Sequence, residues 1–564
     1  MCDPAWKRPP ARRSLAAALL ISLVVQMGAG GCAPESERLP RGVMAVMETE
    51  QTALFQRNFN PLLEAGAMRW AAKRAMYEPM LIHNPVSGHY VPWLAESYRF
   101  SDDRLQLFFQ LRSGVTWSDG ATFDADDVVF TFNLLRRFPA LDARALWARL
   151  VEVQAADART VVVTFKRPHT PSFEEIAQQA IVPAHIWGRV ADPVSFANPE
   201  PVATGPFTEI RFFGAQAYEV GRNPRYWQGL PALEALRFRA YPANEQAILA
   251  LLHGELDWAG SFLPAIERVF KARDPTHHVY WFPLLDATVF LYPNTTRWPL
   301  SKPEVRKAIS MAIDRERIVR IAMHGYTRPA DATGLSDAYA AYRDPRAVEV
   351  GKPWVSHDPE GARRLLEKAG LARGKNGRLR TPDGRKLVLT LEVPAGFSDW
   401  IGAAQMTERD LEEVGLEVRV RTLEYQVWFE RLQTGQFELS MAWSDLLTTP
   451  YGFYRSLLAE ATLRPVGEAA AENWHRFGLP EADALLAQIE QTLDPDRQRS
   501  LFARLQMLFV LHAPVIPLFP GPLWGECNTR RIVGFPSAQD PYAPLSPNLD
   551  GPQPLLVLTR LKPR

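Results

Sequence analysis

The sequence predicts an α/β protein with more than one domain. Strand-like and helix-like segments alternate along the chain, which is typical of sheets covered by helices. The 564 residues are too many for one hydrophobic core and enough for two or three domains. No segment recurs at the period of a solenoid or propeller, which argues against a repeat architecture.

Composition excludes few classes of partner. Hydrophobic residues make up 47% of the chain and charged residues 23%, as in ordinary globular proteins. The formal net charge is +1, so the basic surface that binds nucleic acid is not expected.

The N-terminus predicts export. Basic residues between Lys7 and Arg13 precede an apolar run at 15–27, and small residues then lead to Cys32. The run is short for a membrane span. Residues 1–32 resemble a bacterial lipoprotein signal, with Cys32 carrying the lipid anchor, although Ala29 occupies a position where Leu is usual. Simple cleavage and release is the alternative, and 33–42 are interpreted as a polar tether.

The later chain gives no sign of a membrane span or a disulfide framework. Its most apolar stretch, 505–519, is broken by His512 and two prolines and predicts a buried helix end followed by a strand. Cys2 is lost with the leader. If Cys32 is acylated, Cys527 has no partner.

The first elements are predicted between residues 105 and 132. Alternating apolar side chains predict a strand over 105–111, and Asp119-Gly120 predicts a turn. Asp124 is placed to cap a helix, with Asp126 and Asp127 in its first turn. We therefore interpret these acids as structural.

Three further helices are predicted from their end signals. One begins at Pro303 and ends at Gly325, and a second runs from Asp358 to Gly370. A third begins at Asp494, and its apolar residues recur at the spacing that places them on one face of a helix.

The order of these segments resembles the family 5 solute-binding proteins of bacterial ABC importers. The resemblance covers about residues 45 to 560 and closes with PEVRKAISMAIDRERI and DPDRQRSLFARLQ. Other matching stretches are AMYEPMLIHNPVSGHYVPWLAESYRFSDD (75–103), LRSGVTWSDGATFDADDVVFTF (111–132), ATGPFTEI (203–210), GRNPRYWQG (221–229) and ALLHGELDWAG (250–260).

The resemblance implies a two-lobed periplasmic-binding-protein fold of the larger cluster (type II), with an inserted subdomain in the first lobe. The chain would cross between lobes near Phe290 and Phe519. The implied boundaries are 43–68, 203–288 and 526–564 for lobe I, 69–202 for its inserted subdomain, and 289–525 for lobe II.

The implied function is capture of an extended oligomer, an oligopeptide or a β-linked oligosaccharide, by closure of the lobes. The closed complex would deliver its cargo to the permease subunits of an importer. We expect a monomer in the periplasm or cell envelope, with no cofactor. An adaptor that reports ligand to a membrane receptor is an alternative that the sequence does not separate.

Peptide-binding members of the family hold the ligand's amino group with a carboxylate shortly after a Gly-Trp pair. Trp443 and Pro450 match that motif here, but the expected acidic positions fall on Leu446 or Thr449. Asp445 is the nearby carboxylate and is shifted. A buried ammonium without a counter-charge is disfavoured, so amine anchoring is in question.

Aromatic side chains favour a sugar ligand, because flat rings suit the apolar faces of pyranoses. Several segments also resemble the cello-oligosaccharide-binding members. The alternative for each ring is a place in the core. The candidates are Trp70, Trp258, Trp281, Trp400, Trp428, Trp443 and Trp474, with Asn473 for hydroxyl groups.

Metal binding and catalysis are not expected. The adjacent pair His277-His278 lies in a turn-like stretch, and no ligand spacing surrounds it. A secreted glycosidase would need two carboxylates at a defined separation, and no motif supplies such a pair or a nucleophile.

Overall fold

The computed structural model describes residues 39–48, 54–63, 68–375, 377–549 and 551–564. From Leu39 onward the chain forms one compact unit of mixed α/β structure. The predicted signal, Cys32 and most of the tether lie outside the described residues.

A seven-stranded sheet forms the core of what we call lobe I, together with three short α-helices and a separate antiparallel pair of two-residue strands. β1 pairs in parallel with β10, and its five residues are all buried. In spatial order the strands are β12 (His278–Tyr280), β20 (Glu526–Asn528), β11 (Trp258–Ala259), β1 (Val43–Met47), β10 (Ala235–Arg239), β9 (Ala217–Arg222) and β8 (Phe207–Phe213). The remaining elements are α4 (Asn244–Leu252), α5 (Ile266–Val269), α15 (Pro554–Leu558), β21 (Ile532–Val533) and β22 (Lys562–Pro563).

The chain between β1 and β8 adds a subdomain, residues 68–202, built on an antiparallel four-stranded sheet. Alternate side chains of β5 and β7 are buried, which places one face of the sheet on the core. Its strands are β4 (Ala95–Phe100), β5 (Gln106–Leu111), β7 (Thr160–Phe165) and β6 (Leu150–Asp157), beside a hairpin of β2 (Leu81–Asn84) and β3 (His89–Pro92). Its helices are α1 (Ala125–Arg137), α2 (Ser172–Ala177) and α3 (Ala184–Trp187).

Lobe II, residues 288–520, surrounds a five-stranded mixed sheet with nine helices among its described residues. The sheet order is β17 (Glu417–Leu423), β16 (Val388–Pro394), β18 (Leu439–Trp443), β13 (Thr288–Pro293) and β19 (Ile516–Pro520), with a separate hairpin of β14 (Ala372–Arg373) and β15 (Leu379–Arg380). The helices are α6 (Pro303–Ala312), α7 (Arg315–Ile321), α8 (Pro345–Val355), α9 (Pro359–Lys368), α10 (Ser398–Glu413), α11 (Tyr425–Gln433), α12 (Tyr451–Leu458), α13 (Pro480–Glu490) and α14 (Pro495–His512).

The two lobes are joined by a two-stranded ribbon, residues 281–287 and 521–525. Backbone hydrogen bonds continue the β12–β20 pairing of lobe I towards the β13–β19 pairing of lobe II. The N–H of Trp281 donates to the Gly525 carbonyl at 2.9 Å, and that of Gly521 donates to the Ala287 carbonyl at 2.9 Å. The chain therefore enters and leaves lobe II side by side.

The structure confirms most of the local predictions. Asp124 caps α1, and its side chain and that of Asp127 form a capping box. Asp358 and Asp494, the predicted starts of two further helices, are the N-caps of α9 and α14, which begin one residue later. The single helix predicted from Pro303 is wrong, because it breaks into α6 and α7. Asp314 caps the second piece, and its own N–H donates to Asp410 at 2.9 Å.

Candidate ligand-binding cleft

The loop after β18, residues 444–450, is the centre of the candidate site. Its start is fixed to β13, since the Ser444 N–H donates to the Thr288 carbonyl at 2.9 Å and the Thr288 N–H donates to Ser444 Oγ at 3.1 Å. Further along, the Leu447 N–H donates to the Tyr339 hydroxyl at 2.8 Å. The loop ends where α12 begins.

The subdomain contacts this loop through Glu174 of α2. Glu174 Oε2 accepts hydrogen bonds from the Thr448 N–H at 2.7 Å and the Thr448 Oγ1 at 2.9 Å. Burial raises the pKa of Glu174 from 4.5 to about 7, against the effect of the two Thr448 hydrogen bonds. This contact links residues that are 274 positions apart in the chain.

A second contact joins Arg144 of the subdomain to Asp445 of the loop. Arg144 Nη1 lies 3.7 Å from Asp445 Oδ2, and the two side chains are 54% and 23% exposed. Asp445, followed by Glu175, Glu174 and Glu472, raises the pKa of Arg144. Arg144 is thus partly exposed, while carboxylates of the subdomain and of lobe II surround it.

A third contact lies at the end of α13. The Thr170 N–H donates to the Glu490 carbonyl at 3.0 Å, and His169 Nε2 lies 3.6 Å from Glu490 Oε1. Tyr451 also donates to that carboxylate, at 2.6 Å. Arg167 adds an ion pair to Glu490 Oε2 at 3.1 Å. The subdomain and lobe II are therefore held together on this side too.

Aromatic rings of lobe II line the loop. The half-buried Trp443 lies 5.5 Å from Trp428 and 5.7 Å from Trp400, both of which are buried. Phe429 stacks on Trp443 at 6.4 Å. The rings of Trp428 and Trp400 are tilted against Trp443 by 57° and 51°, so they form an aromatic cluster from which Trp443 is partly exposed.

Trp474 approaches the same region. Its ring lies 5.8 Å from Tyr292, whose hydroxyl donates to the Trp443 carbonyl at 3.0 Å. Its Nε1 is buried and has no hydrogen-bond partner in the described part of the chain. A buried donor of this kind is unusual and is free to serve a ligand.

The other predicted site residues lie elsewhere. Trp70 and Trp258 are in the lobe I core and donate to the carbonyls of Pro547 at 2.8 Å and Leu545 at 2.6 Å. Asn473 is 2% exposed, and its amide bonds the Ala459 and Phe477 carbonyls and Thr462. We therefore leave these three residues out of the proposed site.

Trp281 is half-buried in the ribbon that joins the lobes, where it packs against the lobe I core. Of the predicted candidates, the structure brings Trp400 and Trp428 against Trp443, two residues before Asp445, and places Trp474 beside Phe429 of the same cluster. Sequence reasoning missed Arg144 and Glu174, since each reaches the loop only through the tertiary contact between subdomain and lobe II.

None of the helices in the described residues is both long and apolar enough to cross a membrane. The described residues also contain no cluster of three His, Cys, Asp or Glu side chains with the geometry of a metal site. Cys527, in β20, is a buried free thiol.

The central part of the chain matches a known family. Residues 89–463, more than half of the chain, match the model of the bacterial extracellular solute-binding proteins, family 5 Middle. The chain belongs to this family. The two lobes and the inserted subdomain agree with the fold that the sequence predicts.

Curated relatives of this family 5 protein include the glutathione-binding protein GsiB of two enterobacteria. The protein of Salmonella paratyphi A is 26% identical over 460 residues, which cover 78% of this chain and 82% of the relative. That of Escherichia coli O6:K15:H31 is 27% identical over 461 residues, with the same coverage of 78% and 82%.

Solved structures show the same fold. The periplasmic oligopeptide-binding protein of an ABC transporter from Thermotoga maritima has a TM-score of 0.84 and 24% identity, covering 93% of this chain and 99% of that one. Its mannohexaose-bound structure gives 0.83, with the same 24% identity and coverage of 93% and 99%. The oligopeptide-binding protein AppA of Bacillus subtilis, solved with a nonapeptide, gives 0.75 at 20% identity, covering 93% of this chain and 99% of that one.

Proposed function

We propose that this family 5 protein is the solute-binding component of an ABC importer. It captures an extended oligomer, an oligopeptide or a β-linked oligosaccharide, between its lobes and delivers it to the membrane permease. The observation that carries the proposal is the set of contacts around loop 444–450, where the subdomain and lobe II meet in addition to the ribbon. The relatives' names, glutathione-binding and oligopeptide-binding, and the mannohexaose complex support an oligomeric ligand.

Closure follows from this arrangement. The ribbon pairs the two connections, so the lobes swing about one axis without separating. Opening about the ribbon would break the contacts that Glu174, Arg144 and His169 make with lobe II. A ligand held between Arg144 and the aromatic rings of lobe II adds further contacts to the closed form and shifts the equilibrium towards it.

The proposal places the protein outside the cytoplasm, attached through a lipid on Cys32, as a monomer that leaves its ligand chemically unchanged. The permease then recognises the closed form. Family membership in a group of solute-binding proteins supports this assignment.

A thermal-shift screen tests the proposal directly. Peptides, cello-oligosaccharides and manno-oligosaccharides of matched length are added to the pure protein, because a ligand that binds the folded state raises its melting temperature. A stabilising ligand is then expected to reduce the radius of gyration in small-angle scattering. A panel without any stabilising ligand, or a ligand recovered in cleaved form, contradicts the proposal.

A further inference from the structure

The carboxylates around loop 444–450, apart from Asp445, already have partners within the protein. Glu175 pairs with Arg149 at 2.8 Å, and Glu472 pairs with Arg455. Glu174 accepts from both donors of Thr448. Arg144 is therefore the cation that remains to balance Asp445.

Arg144 is presented by a fixed turn. Asp142 accepts from the N–H groups of Leu146 at 2.8 Å and Trp147 at 3.0 Å. Ala145 has a φ of 52°, a left-handed conformation that turns the chain sharply between them. The turn is held in place while the Arg144 side chain remains 54% exposed.

The separation within the pair matters. At 3.7 Å, Arg144 Nη1 and Asp445 Oδ2 are too far apart for a direct hydrogen bond but attract each other as charges. A ligand hydroxyl that lies beside the pair can accept from the guanidinium and donate to the carboxylate. An ammonium only donates, and Arg144 repels it from the same carboxylate.

We propose that Arg144 and Asp445 together recognise an uncharged, hydroxyl-bearing end of the ligand, and that Arg144 excludes a free amino terminus. This inference rests on the proposed function and names its substrate class as a neutral oligosaccharide. Trp443, two residues before Asp445, is half-buried and supplies a ring surface next to the loop that carries the pair.

Four probes distinguish the possibilities: cellohexaose, mannohexaose, tetra-alanine and N-acetyl-tetra-alanine. Their dissociation constants are measured by calorimetry on the wild-type protein and on Arg144→Met. We expect a hexaose to bind the wild type at least tenfold more tightly than tetra-alanine does. In Arg144→Met, the dissociation constant of tetra-alanine relative to that of the hexaose should fall at least tenfold. The dissociation constant of tetra-alanine relative to that of N-acetyl-tetra-alanine should also fall.

Two matched variants separate charge from folding. Arg144→Lys keeps the positive charge and should keep the exclusion of tetra-alanine. Arg167→Met removes an exposed interlobe arginine that pairs with Glu490 rather than Asp445, and should leave all ratios unchanged.

The outcomes are distinguishable. A wild-type preference for tetra-alanine over its acetylated form overturns the inference but leaves the proposed function intact. An Arg144→Met variant that weakens all four probes equally also overturns it, because Arg144 then only supports the fold. If none of the probes binds either protein, the inference and the proposed function both fail.

Discussion

Glu174 makes the closed form sensitive to pH. Its carboxylate is enclosed between α2 and loop 444–450, where Thr448 donates two hydrogen bonds and Asp445 and Arg144 lie nearby. Burial raises its pKa from 4.5 to about 7. When the lobes open, Glu174 returns to water and to its ordinary pKa.

The difference between the pKa of Glu174 in the open form and in the closed form sets the size and sign of the pH effect on closure. A rise from 4.5 to about 7 corresponds to about 3 kcal/mol between the two protonation states. Because the pKa is raised on closure, the closed form is favoured fully below pH 4.5, and the advantage is lost as the pH rises through 7. Ligand affinity should therefore fall by up to about 100-fold between pH 5 and pH 8.

Glu174→Gln isolates this group. The amide oxygen still accepts from Thr448, but the side chain does not ionise. Calorimetric titration with a ligand from the panel should show a flatter pH profile and, at pH 8, tighter binding than the wild type. Glu175→Gln, which changes the neighbouring carboxylate paired with Arg149, should keep the wild-type profile. If Glu174→Gln keeps the wild-type slope or binds more weakly at pH 8, closure does not raise the pKa of Glu174 and the reasoning is refuted.

Three further predictions use other parts of the molecule. Trp443→Ala should weaken ligand binding at least tenfold in calorimetry, and an unchanged dissociation constant with an intact fold would remove the ring from the site. Tyr326 of lobe II donates to the Leu263 carbonyl at 2.9 Å and accepts from the Ile266 N–H at 2.7 Å, both in lobe I. Tyr326→Phe removes these interlobe hydrogen bonds, so closure should weaken by about 1–2 kcal/mol, seen as a larger radius of gyration with ligand present; an identical radius would argue against a role for Tyr326 in closure. Burial raises the pKa of Glu78 from 4.5 to about 7, so the free energy of unfolding should fall by about 3 kcal/mol as the pH rises through 7. Urea unfolding of Glu78→Gln should lack that fall, and a wild-type-like pH dependence in the variant would contradict it.

Local elements were predictable because their signals lie within a few residues. The capping acids of α1 and the proline starts of α9 and α14 are of this kind. The break between α6 and α7 was not, since Asp314 also bonds to Asp410, a residue 96 positions away.

The residues of the candidate site also divide into those predictable from local sequence and those revealed only by tertiary contacts. Trp443 and Asp445 were found from a motif, and the structure places Trp443 at the end of β18 and Asp445 in the loop that follows. Arg144 and Glu174 carry no local pattern that distinguishes them from other surface charges, and only the contact between subdomain and lobe II reveals them. Composition did not separate Trp70 and Trp258 from Trp443, because a core and a cleft both favour large rings.

The side-by-side crossings of the ribbon also bear on how such proteins diversify. Everything from β13 to β19 is one uninterrupted stretch of chain whose two junctions are neighbours, with the Asp286 N–H bonded to the Gly521 carbonyl at 3.3 Å. One half of the cleft is therefore a cassette: a single recombination event spanning 288–520 replaces it whole. Such an exchange would change one wall of the site while leaving Arg144 and Glu174 on the other.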